Sequence, residues 1–117
     1  MNKPLITIIT VVLNDEENIE STIQSVLNQK YGNIQYVIID GDSNDNTKKI
    51  IEKYKDKIDT FVTEKDKGIY DAFNKGLKLA KGDLLGFVNS GDVLTQESLC
   101  ILVDYYNKYK NADFFFG

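Results

Sequence analysis

The chain has 117 residues, 42% of them hydrophobic and 27% charged, enough for one compact domain with a real core and too little for two. Its 14 basic and 18 acidic residues leave a net charge of -4, which argues against a nucleic-acid surface, since such surfaces need clustered Lys and Arg. With no His and one Cys, neither a zinc ligand set nor a His-dependent triad can be built.

The apolar run from Leu5 to Leu13 is too short to span a bilayer and is followed by no small-residue cleavage site, so it predicts a strand rather than a signal peptide. Ile, Val and Thr without clean alternation point to a strand buried on both faces. Asn14 or Asp15 is then expected to cap a helix carrying Ile19, Ile23, Val26 and Leu27 on one stripe. Tyr31-Gly32-Asn33 ends it, and "IQYVIID" is the second buried strand.

After Asp40 come the turn formers "GDSNDNT" and a predicted helix in "KKIIEKYKDK", where Lys48, Lys49, Lys53, Lys55 and Lys57 are interleaved with acids as a solvated face. "IDTFVTE" is a short third strand. "IYDAFNKGLKLAKG" has Tyr70, Phe73, Leu77 and Ala80 at helical spacing, with Gly82 as a stop. "DLLGFVN" is a fourth strand, and from Thr95 a helix carries Leu99, Leu102, Val103 and Tyr106. Cys100 within it reads as a small core residue, and a lone cysteine fits a reducing, cytosolic compartment. "ADFFFG" begins a fifth strand. The pattern predicts a three-layer α/β/α, Rossmann-like domain with a mostly parallel sheet and right-handed crossovers, a single domain over 1–117 that is cut in its fifth strand.

In an open parallel sheet, ligands bind beyond the carboxyl ends of the strands. Those ends carry residues 14–16, 40–45, 64–67 and 89–92, most of them acid-rich. Ionised carboxylates offer acceptors only, so this rim suits a divalent cation, a ribose or a base edge. A hard cation needs only one or two carboxylates when a diphosphate completes its shell, which makes Asp92 a candidate metal ligand, with helix capping as the alternative. Neither a G-x-x-x-x-G-K-[ST] loop nor a G-x-G-x-x-G after the first strand is present.

In order, "ITIITVVLNDEENI", "SVLNQKYGNIQYVIIDGDSNDNT", "EKDKGIYDAFNKGLKLAKGD" and "LLGFVNSGDVL" resemble the nucleotide-sugar binding half of a family 2 glycosyltransferase with the GT-A fold, of the bacterial polysaccharide type. "IDGDSNDNT" resembles the family's D-x-x-S-x-D-x-T loop. The resemblance implies an inverting transfer of a sugar from a nucleoside diphosphate sugar, UDP-linked by expectation, to a hydroxyl of a glycan or lipid-linked acceptor at the inner face of the membrane. It also implies a divalent cation, Mn²⁺ or Mg²⁺.

Carried across, the resemblance implies that Val11, Val12 and Asn14 border the base and ribose, and that Asp40, or Asp42, accepts from them. Ser43, Asp45 and Thr47 would hold the loop and cap the next helix. Lys67, Gly68, Asn74 and Lys75 would pass beside the donor, with Lys75 or Lys67 reaching the diphosphate. Asn89, Ser90 and Asp92 fall on the family's D-x-D type signature, with Asp92 as the metal ligand; Asn89 and Gly91 stand where acids are common. The general base is expected in a later part of the family's domain, so that the chain alone would bind donor weakly and transfer little. A catalytically inactive nucleotide-binding module is the other reading. A phosphoacceptor receiver domain would need an Asp ending the third strand, which runs "FVTEKD" instead.

Overall fold

The computed structural model describes residues 3–109 and the backbone of 115–116. Strands and helices alternate: β1 (Ile6–Val12), α1 (Ile19–Leu27), β2 (Ile34–Asp40), α2 (Thr47–Glu52), β3 (Thr60–Thr63), α3 (Ile69–Leu79), β4 (Leu84–Phe87), α4 (Ser98–Lys108) and β5 (Phe115–Phe116). The five strands form one sheet in the order β3-β2-β1-β4-β5, and every pairing is parallel. Each expected element is present, in the expected order.

All seven residues of β1 are buried, which is why its sequence lacks polar alternation. Ile6, Ile8 and Val12 pack with Ile19 and Ile23 of α1, Ile51 of α2 and Leu99 of α4 on one face. Ile9 and Val11 pack with Ala72 of α3 on the other. The threonines that interrupt the strand are paired: Thr7 Oγ1 donates to Gln35 Oε1 at 2.6 Å, and Thr10 shares a 2.8 Å bond with the Tyr36 hydroxyl. Both Thr–partner pairs join β1 to β2 side by side, so neither leaves a buried polar group unsatisfied.

Order along the sheet reverses at β1: the chain moves outward through β2 and β3, then returns to lay β4 on the opposite flank. That reversal sends α3 to the face away from α1 and α2, as a constant crossover hand requires. The last crossover departs from the expected hand. α4 shares the α1 and α2 face although β5 lies beyond β4. Contacts with α1 decide its face: Gln29 Nε2 donates to the Thr95 carbonyl at 2.5 Å, Leu99 N donates to Gln29 Oε1 at 3.1 Å, and Lys30 pairs with Glu97 at 2.9 Å.

Three local expectations are corrected. Asn14 and Asp15 do not cap α1, which begins after Asn18; their backbone groups are bonded to a distant loop, described below. The helix read into "KKIIEKYKDK" ends at Glu52 and tightens into a 3₁₀ turn over Lys55–Lys57. Cys100 is half-buried rather than core.

Gly82 lies beyond the end of α3 and serves close approach instead of helix termination. A Cβ there would sit 2.6 Å from Thr7 N and 2.8 Å from the Leu5 carbonyl, both backbone atoms. Gly76, inside α3, is similar: a Cβ would meet Ile9 Cγ2 at 2.6 Å, so its helix-propensity cost of about 1 kcal/mol is accepted to seat α3 on β1. Gly82→Ala is therefore expected to lower stability in urea denaturation by about 1–3 kcal/mol. Gly32→Ala, where nothing lies within 4 Å, serves as the control and should leave the midpoint nearly unchanged.

Candidate functional site

The reversal of strand order at β1 opens a crevice beyond the carboxyl ends of β1 and β4, where open α/β sheets bind ligands. A cleft of about 520 Å³ lies there, within the usual size for a small-molecule site. Val11, Val12, Leu13 and Asn14 line it from the end of β1, Gly41 from the end of β2, and Asn89 and Ser90 from the end of β4. Asp66, Gly68, Ile69 and Ala72 form the wall at the start of α3, so the positive end of that helix dipole faces the cleft.

The loop after β1 is held by the loop after β2 through side chains two apart. Asn14 N donates to Ser43 Oγ at 2.8 Å, Glu16 N to Asp45 Oδ2 at 3.3 Å, and Asp15 N to Thr47 Oγ1 at 3.0 Å. In return Asn44 N donates to Asn14 Oδ1 at 2.8 Å. The Asp15 carboxylate is likewise taken, by Ser90 Oγ and by Asn18 Nδ2, so neither Asn14 nor Asp15 has a side-chain oxygen left to cap α1. Asn14 itself takes φ +49°, a left-handed geometry that Asn tolerates better than most residues. Ser43, Asp45 and Thr47 thus hold the loop, and Asp45 Oδ1 accepts from Thr47 N at 2.9 Å at the start of α2.

Asp40 is the anchor of this arrangement and does not line the cleft. Its side chain is fully buried and accepts four hydrogen bonds, from Asp42 N at 3.1 Å, Ser43 N at 3.0 Å, Ser43 Oγ at 2.5 Å and Thr63 Oγ1 at 2.8 Å. The expected role in accepting from base or ribose is corrected here: its acceptor capacity is committed to the protein. Asp42, the expected competitor, is exposed and ion-paired to Lys48, whose ammonium holds its carboxyl below the ordinary value.

The two candidate lysines differ. Lys75 Nζ is bound by Asp66 and Glu64 (3.0 Å to the latter) and lies 3.5 Å from Asp71; the Asp66 bond chiefly drives its pKa upward. Its ammonium is committed to these acids, and it does not line the cleft. Lys67 is exposed and makes no salt bridge among the described residues, while its backbone N–H donates to Asp71 Oδ2 at 3.0 Å. Asn74 is exposed on α3.

At the end of β4, residues 89–92 form a turn closed by Asp92 N donating to the Asn89 carbonyl at 2.9 Å. Gly91 has φ +100°, the backbone that the third position of a type II turn demands and that a side chain disfavours. An acid at 91 would be strained, so its absence has a conformational cause. Thr22 of α1 clamps the turn: Gly91 N donates to Thr22 Oγ1 at 3.0 Å, and Thr22 Oγ1 donates to the Asp92 carbonyl at 2.8 Å. Asp92 is exposed, with Oδ2 accepting from Asn89 N at 3.2 Å. Asn89 lines the cleft, and its Oδ1 is buried without a hydrogen-bond partner, an acceptor whose burial costs free energy until it is paired.

Among the described residues no group of three or more His, Cys, Asp or Glu could hold a metal. One exposed carboxylate does fit a hard cation that arrives with a diphosphate. It does not fit a self-contained metal centre. Sequence reasoning put Asp15, Gly41 and Asp66 on the strand-end rim without a role in the cleft, and it missed Leu13, Ile69 and Ala72 as lining residues. Asp15 accepts from Ser90 Oγ at 2.7 Å, a contact across 75 positions that no local pattern announces.

Residues 7–116 match the model of the family described as glycosyl transferase family 2, and the chain belongs to that family. It is 34% identical over 118 residues to the Escherichia coli UDP-Glc:alpha-D-GlcNAc-diphosphoundecaprenol beta-1,3-glucosyltransferase WfgD, covering 100% of this chain and 46% of that protein. Staphylococcus aureus TarS 1–349, solved in complex with UDP-GlcNAc, superposes with a TM-score of 0.84 at 25% identity over 91% of this chain and 32% of that one. The fold matches the GT-A architecture. The Pyrobaculum calidifontis mannosyltransferase PcManGT, solved with GDP-Man and Mn²⁺, shares the fold with a TM-score of 0.82 at 20% identity, over 90% of this chain and 33% of that one. The chain therefore spans about a third to a half of the proteins named here.

Thr47→Val should cost about 1–3 kcal/mol in chemical denaturation, because it keeps the buried volume and leaves Asp15 N without its acceptor. Asp45 adds a pH signature. Its carboxyl is held below the ordinary value, first by its bond with Thr47, so its contribution is present above the unfolded value and lost as pH falls through the lower folded value. Asp45→Asn is expected to flatten the acid limb of a stability-against-pH profile, where the pH falls through and below the ordinary aspartate value, while leaving stability at pH 7 below that of the parent.

Proposed function

We propose that the chain is the donor-binding part of a transferase that moves a sugar, with inversion, from a nucleoside diphosphate sugar to a hydroxyl of a glycan or lipid-linked acceptor. The reading includes a UDP-linked donor, a role in polysaccharide synthesis and action at the cytoplasmic face of a membrane. One observation carries it: a cleft at the switch point has an apolar wall on one flank and Asn89 and Ser90 on the other, with the exposed carboxylate of Asp92 just beyond its lining in the same turn. A nucleoside diphosphate has the same polarity along its length. Family membership, a relative whose name specifies a UDP-linked donor and a diphosphoundecaprenol acceptor, and a similar fold solved with UDP-GlcNAc support the reading.

In this scheme Val11, Val12 and Asn14 border the base and ribose. Asn89 Oδ1 accepts from a sugar or ribose hydroxyl, and Ser90 lies beside it, its own hydroxyl donated to Asp15. Lys67, exposed and without a salt bridge among the described residues, would reach the diphosphate, where its positive charge opposes the acidic rim. Asp92 would hold a divalent cation, Mn²⁺ or Mg²⁺, which when bound offsets the negative charge building on the leaving diphosphate. The turn clamped by Thr22 fixes where that carboxylate stands.

The inactive nucleotide-binding reading is favoured by one fact. Asp71 accepts from Lys67 N and faces the Lys75 ammonium, which together hold its carboxyl below the ordinary value and make it a poor acceptor for the proton of an acceptor hydroxyl. Transfer assays on a protein containing this chain, across a donor panel, separate the two readings.

Calorimetric titration with UDP, with and without Mn²⁺, tests the donor site in the parent and in Asp92→Ala. Mn²⁺ is expected to tighten UDP binding about tenfold in the parent, or about 1.4 kcal/mol, and to have no such effect in the variant. Equal enhancement in both would remove Asp92 from the cation site, and no UDP binding under any condition would contradict the donor reading.

A further inference from the structure

We propose that Lys75 is a positioning residue for nucleobase selection: it holds Asp66 so that one carboxylate oxygen is left at the base end of the cleft to accept a single ring N–H. The inference rests on the donor reading above and adds to it the group that reads the base. Asp66 lines the cleft and its side chain is only 13% exposed. Oδ1 accepts from the Lys75 ammonium. Oδ2 has no hydrogen-bond partner among the described residues and lies at the end of β2, 3.0 Å from where a Cβ on Gly41 would stand. The missing side chain at Gly41 is what admits that oxygen to the cleft wall.

The location distinguishes this end from the other. Asp66 and Gly41 lie on the β2 and β3 flank of β1, and Asn89 and Ser90 on the β4 flank. Leu13 and Ile69, both large and exposed apolar side chains, line the same cleft with Val11 and Ala72 and suit the faces of a planar ring.

Lys75 is itself held, since Glu64 sits 3.0 Å from Nζ and Asp71 3.5 Å. With the ammonium fixed in this way, Asp66 cannot rotate to present both oxygens.

The chemistry of selection follows from the inventory of donors. An ionised carboxylate accepts and never donates. A base with a protonated ring nitrogen, such as the imide of uracil, supplies the one N–H that Oδ2 requires. A bare ring nitrogen, as in cytosine, meets an acceptor with an acceptor. Guanine presents adjacent ring N–H and amino donors suited to two oxygens, one of which Lys75 already occupies. Without Lys75, Asp66 would keep both oxygens but its orientation would no longer be set.

The test compares UDP with UDP methylated at the ring N3, by calorimetry, in the parent, Lys75→Arg, Lys75→Met and Asp66→Leu, with circular dichroism to confirm folding. The parent is expected to prefer UDP by about tenfold, Lys75→Arg to keep that preference, and the other two to lose it to within about twofold. A merely structural role would weaken both nucleotides alike and leave their ratio intact. A parent with no preference, or a preference that survives Lys75→Met or Asp66→Leu in folded protein, would overturn the inference while leaving the donor reading in place. If neither Lys75→Met nor Asp66→Leu folds, the discrimination shown by the parent decides alone. Binding of neither nucleotide to the parent would overturn the donor reading and this inference with it.

Discussion

A buried carboxylate at the end of β2 organises the ligand-facing rim of this domain. Asp40 takes four donors from three residues, and an ionised group without them would be prohibitively costly to bury. Its partner Ser43 is also the acceptor for Asn14 N. The loop after β1, the loop after β2 and Thr63 on β3 are therefore coupled through one residue. A cleft whose walls come from such loops needs this coupling, because loop backbone has no ladder to hold it.

Opposite that anchor, the turn after β4 shows how backbone geometry limits chemistry. Gly91 takes a positive φ and Thr22 bonds on both sides of it, so the turn is fixed by conformation and by α1 rather than by charge. One consequence is a rim with fewer carboxylates at the end of β4, where the proposed diphosphate would lie. Asp92 stands there without an acidic neighbour in its turn, and Asn89 contributes a neutral acceptor. Coulombic repulsion of a diphosphate is correspondingly reduced, while a cation, if held, draws more of its shell from the ligand.

Much of the architecture was legible because it is written in local pattern. Unbroken Ile and Val runs mark doubly buried strands, and the stripe from Ile19 to Leu27 marks a helix on a sheet. The placing of Asn14, Asn89 and Ser90 on one cleft also follows from strand ends alone, through the rule that ligands sit at the switch point, while Val11 and Val12 came from the family resemblance. What escaped was set by partners far along the chain. Asn14 and Asp15 have the composition of a helix cap, and only contacts to residues 43–47 show why they are not one. Asp40 and Lys75 look like ligand groups by charge. The hydroxyl of Thr63 and the carboxylate of Asp66, 23 and nine positions away, commit them to the protein instead. Gly82 reads as a helix stop by type, and its closeness to Thr7 is a property of packing alone.

The central claim is that one cleft, between the carboxyl ends of β1 and β4, receives a nucleoside diphosphate lengthwise. Backbone amide NMR during a UDP titration of isotopically labelled protein tests it most directly. The account predicts that shifts concentrate at residues 11–15, at Gly41, at 66–69 and at 89–92, with the outer surface of α4 around Ile101 and Tyr105 silent. Shifts centred on α4, or confined to one flank of β1, would contradict it.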